Sequence, residues 1–207
     1  MPRKDGKKTR ERLIDSAVEI FSKKGFYYSR VGDIVKRAGV TQGAFYVYFT
    51  DKDEILVEIY KTRLIRFSQV IDVEVHTRED FELRLNTIVS QVVERVVSNP
   101  NETTVIVAQH REIPYLLQGS PLLNEVEMIV EDNVRTVSGL FQGAQRKGFI
   151  MGDLDCRICA TIFLGQLNEL ALMCVRSRMD PAVFKTQSAR YVRFFLKGCG
   201  FYDSSER

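Results

Sequence analysis

Apolar positions recur along most of this chain at the three-and-four spacing of a helix packed on one side, and almost nowhere with the alternation of a strand. Cutting that pattern at its glycines and prolines predicts the helices. The clearest spans 122–147, where Val126, Ile129 or Val130, Val134, Val137, Phe141 and Ala144 share a side and Gly148 ends the run. A helix over 52 to about 75 precedes it, then one over 79–98 stopped by Asn99-Pro100. Residues 105–112 follow, with a break around Pro114 and Gly119-Ser120-Pro121. The last two helices are expected over 155–178 and 181–198, and the fold class is all-α.

The 155–178 segment is apolar nearly all round, with Ile158, Ile162, Phe163, Leu167, Leu170 and Met173 among its side chains. Such a helix must be covered on more than one side. Its own core on one face and a second subunit on the other would do this. Together with Val183, Phe184, Tyr191, Phe194 and Phe195 of the last helix it would form a four-helix homodimer interface. Full burial within a monomer is the alternative.

Near the N-terminus the pattern becomes shorter. Val31, Ile34, Val35 and Ala38 make one stripe on a helix of about two turns. Ser29 is placed to cap it, Asp33 suits its positive end, and Gly39 supplies the backbone freedom for a tight C-terminal turn. Thr41 restarts the helix as an N-cap. Phe45, Tyr48 and Phe49 then fall on one face, which leaves Gly43 and Val47 pointing outward, Tyr46 on their flank, and Thr41 and Gln42 at the helix start. Two short helices joined by a glycine turn, the second carrying polar and aromatic residues outward, suit the reading of DNA base edges. Thr41 and Gln42 could bond those edges and Val47 touch a thymine methyl; the plainer reading of Tyr46 is an aromatic that packs the motif. Gly43 costs roughly 1 kcal/mol relative to alanine, a cost that makes sense if the helix must approach a DNA backbone closely. Asp51 and Glu54 read as the cap and reciprocal partner of the next helix, whose first turn places Lys52 to hold a phosphate.

Charge sharpens this picture. Residues 1–50 hold 11 Lys or Arg against 5 Asp or Glu, whereas the rest of the chain holds 19 against 22. A basic module on a mildly acidic body is the electrostatic footprint of a duplex binder, although the basic N-terminal arm taken alone could be a solvated start.

The stretches Ala17-Val18-Glu19-Ile20-Phe21, Lys24-Gly25-Phe26, Gly39-Val40-Thr41-Gln42-Gly43, Tyr46-Val47-Tyr48-Phe49 and Lys52-Asp53-Glu54-Ile55-Leu56 together resemble the TetR family of one-component regulators, in detail over residues 9–60. The resemblance implies an N-terminal three-helix helix-turn-helix domain, a helical ligand-binding and dimerisation domain, and a dimer that leaves its operator when ligand binds. We place the division at 1–50 and 51–207. Matched by position, the DNA contacts fall on Thr41, Gln42, Gly43, Tyr46, Tyr48 and Lys52. Two departures stand out. Tyr48 occupies a position where the family often has His. A hydroxyl contact early in the first motif helix falls on Val31, so that Arg30 or Ser29 would substitute.

The effector site is less legible. Polar residues within apolar runs, namely Gln91, Gln109, His110, Asn168 and Glu169, are the candidates for a mainly apolar pocket, each with a structural role as its alternative. Residues 104–111 and Asn168-Glu169 resemble the fatty-acyl-responsive branch of the family, while an amphipathic drug or aromatic metabolite stays open. Cys156 and Cys159 form a C-x-x-C without a second pair or histidine cluster, so buried packing is expected rather than zinc, with a redox role as the alternative. No cofactor is expected. There is no Gly-rich phosphate loop, metal-ligand spacing or Ser/His/Asp set, which argues against an enzyme. The charged start and the Arg157, Asn168 and Glu169 interruptions of the most apolar stretch argue for a cytoplasmic protein without a membrane partner. The function expected is a ligand-responsive repressor; an activator of the same architecture or a ligand-independent DNA binder are the alternatives.

Overall fold

Every regular element among the described residues is helical: α1 (Lys4–Lys24), α2 (Val31–Ala38), α3 (Gln42–Tyr46), α4 (Lys52–Arg63), α5 (Arg78–Ser98), α6 (Pro100–His110), α7 (Ile113–Leu116), α8 (Leu122–Arg146), α9 (Cys156–Ser177) and α10 (Pro181–Gly198), with a turn of 3-10 helix at Phe67–Gln69. The computed structural model describes residues 4–69, 71, 74–110 and 113–201, without the side chains of Lys4, Asp5, Ala108, Gln109, His110 and Pro181. Two compact units result, one of Met1–Leu64 with Asn99–Ile129 and one of Ile65–Ser98 with Val130–Arg207. Contacts therefore group α4 and α6 with the first three helices, whereas the sequence division falls at residue 50.

In the first unit α1 packs on α2, α4 and α6. Leu13, Ile14, Ala17 and Phe21 form its buried stripe. Helix α4 is held by more than apolar contact. The fully buried Tyr60 donates its phenol hydrogen to the Ile106 carbonyl of α6 at 2.7 Å, and burial pushes that phenol well above its ordinary range. Arg63 reaches Glu11 and, at 3.0 Å, Asp15 of α1, with its Nε 3.4 Å from Glu102 of α6. Exposed ion pairs contribute little stability singly, but a fork shared by three helices fixes their register. Between α1 and α2 the Arg37 guanidinium and the Lys23 ammonium hold the Glu19 carboxyl down to about 2.

In the second unit α5 packs on α9 and α10 around Phe81, Phe141, Phe163 and Phe184. The sequence pattern carries α4 on to residue 75, but the helix stops at Arg63 and Leu64 is extended. A contact distant in sequence explains the break. Asn133 of α8, itself buried, accepts from the Phe67 N–H at 2.9 Å and donates to the Ile65 carbonyl at 2.7 Å, holding in place the segment that delivers Phe67, Ile71 and Val75 to the core. At Asn99-Pro100 the expected stop also serves as a start. Proline needs no N–H at the first helical position, and the Asn99 carbonyl takes the Thr103 N–H at 3.0 Å, so α6 begins at Pro100 rather than near 105.

All four cysteines are free and buried. The Cys199 thiol hydrogen-bonds Cys159, and burial pushes Cys199 up to about 12, which keeps it in the thiol form. Helix α9 has the length and apolarity to cross a membrane. Its buried side nonetheless lies in the core of the second unit, while Asp155 caps its first turn through the Arg157 and Ile158 N–H groups.

Candidate nucleic-acid interface

The interface is built on a turn that sequence alone dictates. Gly39 adopts φ +63°, and the chain closes α2 through hydrogen bonds from Gly39 to Lys36 and from Val40 to Val35. Side-chain space is also short there: a Cβ on Gly39 would lie 3.3 Å from the Arg12 guanidinium, which donates to the Ala38 carbonyl and ties α1 to the turn. Thr41 caps α3 as expected, accepting from the Ala44 N–H at 3.2 Å. Because the acceptor lobe is used inward, the hydroxyl hydrogen stays available outward.

Phe45 and Phe49 anchor α3, both buried with rings 5.7 Å apart, and the Arg10 guanidinium lies 5.3 Å from the Phe49 ring. Thr41, Gln42, Gly43, Tyr46 and Val47 are consequently exposed, Val47 at 74% and Tyr46 at 53%, while Tyr48 is half-buried. Tyr46 leans edge-on against Phe45 at 5.5 Å but is not enclosed. Gly43 meets no crowding: a Cβ there would touch only Thr41 Oγ1, at 4.0 Å. Nothing inside the described protein asks for a glycine that weakens its helix. Gly43→Ala is therefore expected to leave the thermal midpoint unchanged or raise it while lowering affinity for duplex DNA at least tenfold. Calorimetry and a binding titration on the same preparation separate the two effects, and equal DNA affinity would show that no close approach occurs at this position.

At the entry to α2 the expected roles are redistributed. Ser29 does not cap the helix; it is buried and donates to the Gly25 carbonyl at 2.6 Å. The N-cap is Arg30, whose N–H is taken by Asp33 at 3.1 Å, with Lys24 pairing Asp33 at 2.9 Å. Between Ser29 and Arg30, only Arg30 has an exposed side chain. Asp51 caps α4 through the Glu54 N–H, whereas Glu54 reciprocates to the Thr50 N–H, one residue earlier than the sequence suggested.

Lys52 is half-buried, and its ammonium donates to the carbonyls of Phe26, Tyr27 and Ser29 at 3.1, 3.3 and 3.4 Å, 4.4 Å from the Phe26 ring centre. It clamps the α1–α2 loop to the first turn of α4. Carbonyl dipoles satisfy its hydrogens without neutralising its charge. That loop also presents Tyr27 and Tyr28, both exposed, which the sequence reading did not single out. Two adjacent aromatics between a glycine and a capped helix were the available signal.

The effector candidates are divided between the units. Gln91 on α5 and Asn168 on α9 are half-buried in the second unit, and Glu169 lies on the exposed side of α9. Gln109 and His110 belong to α6 in the first unit, and their side chains lie outside the described residues. Among the described residues no cluster of His, Cys, Asp or Glu could hold a metal ion.

A glycine-turned helix pair with a buried face and a polar, aromatic outer face has the form of a helix-turn-helix. Residues 13–59, which hold the helix-turn-helix, match the model of "Bacterial regulatory proteins, tetR family". The chain is 24% identical over 157 residues to the fatty acid metabolism regulator protein of Bacillus subtilis (strain 168), covering 76% of this chain and 78% of that one. It is 26% identical over 168 residues to the HTH-type transcriptional repressor BepR of Brucella suis biovar 1 (strain 1330), covering 78% and 79%. Its fold is similar to that of the transcriptional regulator FadR from Bacillus subtilis in complex with stearoyl-CoA, with a TM-score of 0.63 at 22% identity over 91% of this chain and 98% of that one.

Proposed function

We propose that this protein is a cytoplasmic, ligand-responsive transcriptional repressor that binds a near-palindromic operator as a homodimer and is released by a small, largely apolar molecule. The observation that carries the reading is the outward set Thr41, Gln42, Gly43, Tyr46 and Val47 on a helix whose other face is locked by Phe45 and Phe49. In this reading Thr41 and Gln42 meet base edges and Val47 a thymine methyl, with Arg30, Tyr46, Tyr48 and Lys52 positioning the motif on phosphates. Residues 1–50, together with Lys52, carry the DNA contacts, and 51–207 effector binding and dimerisation. Gln91, Asn168 and Glu169 in the second unit, and separately Gln109 and His110 in the first, are the polar groups proposed for effector binding. A fatty-acyl thioester is the first effector class to test, because a FadR of the same fold was solved with stearoyl-CoA. Release needs the ligand to prefer the DNA-incompetent shape: a hundredfold loss of operator affinity corresponds to about 2.7 kcal/mol of coupling.

Selection from a random duplex pool tests the reading. Wild-type protein is expected to enrich a near-palindrome whose half-sites lie about 34 Å apart or a multiple of that. On the selected duplex Gln42→Ala should relax sequence preference, whereas Lys52→Ala should weaken selected and scrambled duplexes alike and flatten the salt dependence. Failure to enrich any sequence, or equal effects of the two substitutions on both duplexes, would sink the assignment.

A further inference from the structure

Tyr27 and Tyr28 are the most exposed large aromatic side chains of the helix-turn-helix region, at 75% and 77%. Among the described residues the ring contact of each is with the other, edge to face at 5.4 Å. The loop that carries them is nevertheless fixed. Phe26 is buried edge-on against Phe21 at 5.1 Å; Ser29 donates through its hydroxyl to Gly25 and through its N–H to Phe26 at 3.2 Å; and Lys52 gathers three consecutive-region carbonyls, those of Phe26, Tyr27 and Ser29. Two phenols are thus held out on a rigid backbone, and each restricts the other.

Their position gives them an occupant. Lys52 opens the helix that follows α3, so its hydrogen bonds tie the loop to the start of α4, five residues beyond Val47. The loop also leads directly into the first turn of α2, the helix that crosses the DNA backbone when its partner enters the groove. Lys52 is held to it, Arg30 is exposed at its end, and Asp33 is paired with Lys24, while Asp51 and Asp53 flank Lys52 at the start of α4. A phenol can donate to a phosphate oxygen and lay its ring on a deoxyribose.

We propose that Tyr27 and Tyr28 form a second, uncharged contact with the sugar–phosphate backbone of duplex DNA beside the groove entered by α3. This rests on the DNA-binding reading above and extends it to residues outside the two motif helices. Because the phenols are neutral they displace no counterion. Their removal should lower affinity without altering the slope of log K against log salt, in contrast to the loss of a cation.

The test titrates wild-type protein, the double variant Tyr27→Phe/Tyr28→Phe and the double variant Tyr27→Ala/Tyr28→Ala with the selected duplex and a scrambled duplex, from low to high salt. The Phe pair is expected to lose about tenfold on both duplexes and the Ala pair more, at an unchanged salt slope and an unchanged thermal midpoint. Both side chains are largely exposed, so the Phe pair keeps the fold. Wild-type affinity in both double variants overturns the proposal alone, as does a loss that comes with a changed salt slope. A wild-type protein that binds neither duplex overturns it together with the DNA-binding reading.

Discussion

Truncating Phe163 to alanine is expected to destabilise the protein by about 3–5 kcal/mol, a large share of the 5–15 kcal/mol that folded domains typically have. The ring is fully buried on α9 and sits among three others: it stacks on Tyr191 at 5.4 Å and meets Phe195 at 5.2 Å and Phe141 at 6.4 Å, both edge to face. Collapse into the vacated space is hindered, since Tyr191 is pinned by its hydrogen bond to the Phe163 carbonyl at 2.8 Å and Phe141 is engaged with Phe81 on its other edge at 5.5 Å. The cavity term therefore adds to the lost transfer energy instead of relaxing away. Denaturant unfolding followed by far-UV circular dichroism measures the loss, and Phe163→Leu should recover more than half of it. A midpoint shift equivalent to less than about 1 kcal/mol for the alanine variant would mean that the three rings close the gap.

What could be read in advance depended on how far apart the deciding residues lie. Gly39, Thr41, Phe45 and Phe49 fall within eleven positions, and each acts through its own backbone or nearest turn, so the motif and its outer face followed from spacing. The ends of α8, α9 and α10 were equally local, marked by Gly148, Asp155 and Pro181. The break after Arg63 was not. Its apolar residues keep a helix-compatible spacing, and the amide that holds the extended chain comes from Asn133, more than sixty residues on. Lys52 shows the same limit at smaller scale: its place in the first turn of α4 was evident, but its three carbonyl partners come from a loop some twenty-five residues earlier. Ser29 had the right type and position for a cap, and a carbonyl four residues back took its hydroxyl instead. For the effector residues spacing offered no discrimination, since a polar residue in an apolar run has the same signature whether it meets a ligand, as proposed for Asn168, or a backbone, as Asn133 does.

For the operator-binding homodimer proposed above, Phe194→Asp is expected to leave monomers and to remove most of the operator affinity. Helices α9 and α10 bury one side in the second unit, yet both leave apolar side chains in water on the other: Ile158, Ile162 and Met173 on α9, Val183 and Phe194 on α10, with Phe194 75% exposed. Along α9 these positions are spaced by four and eleven, along α10 by eleven, so each set lies on one side of its helix. Gly165 falls on the same side of α9 as Ile158 and Ile162, and the space beside its Cα is empty, which lets another backbone come close. A patch of this kind on two neighbouring helices suits a two-fold contact in which each copy covers the other's side chains. A carboxylate at 194 would then be buried twice per dimer without a partner, at a cost of several kcal/mol, enough to weaken association by about a hundredfold or more. Operator binding falls with it, because a dimer joins two half-sites at an effective concentration that a monomer lacks, a contribution of about 10²–10⁴ in affinity. Phe194→Leu keeps the apolar contact and should remain dimeric. Sedimentation equilibrium at micromolar protein reads the first effect and a titration of the selected duplex the second. A Phe194→Asp protein that stays dimeric, or a monomer that binds the duplex as tightly as wild type, would remove this face from the DNA-binding mechanism and leave each recognition helix to act alone.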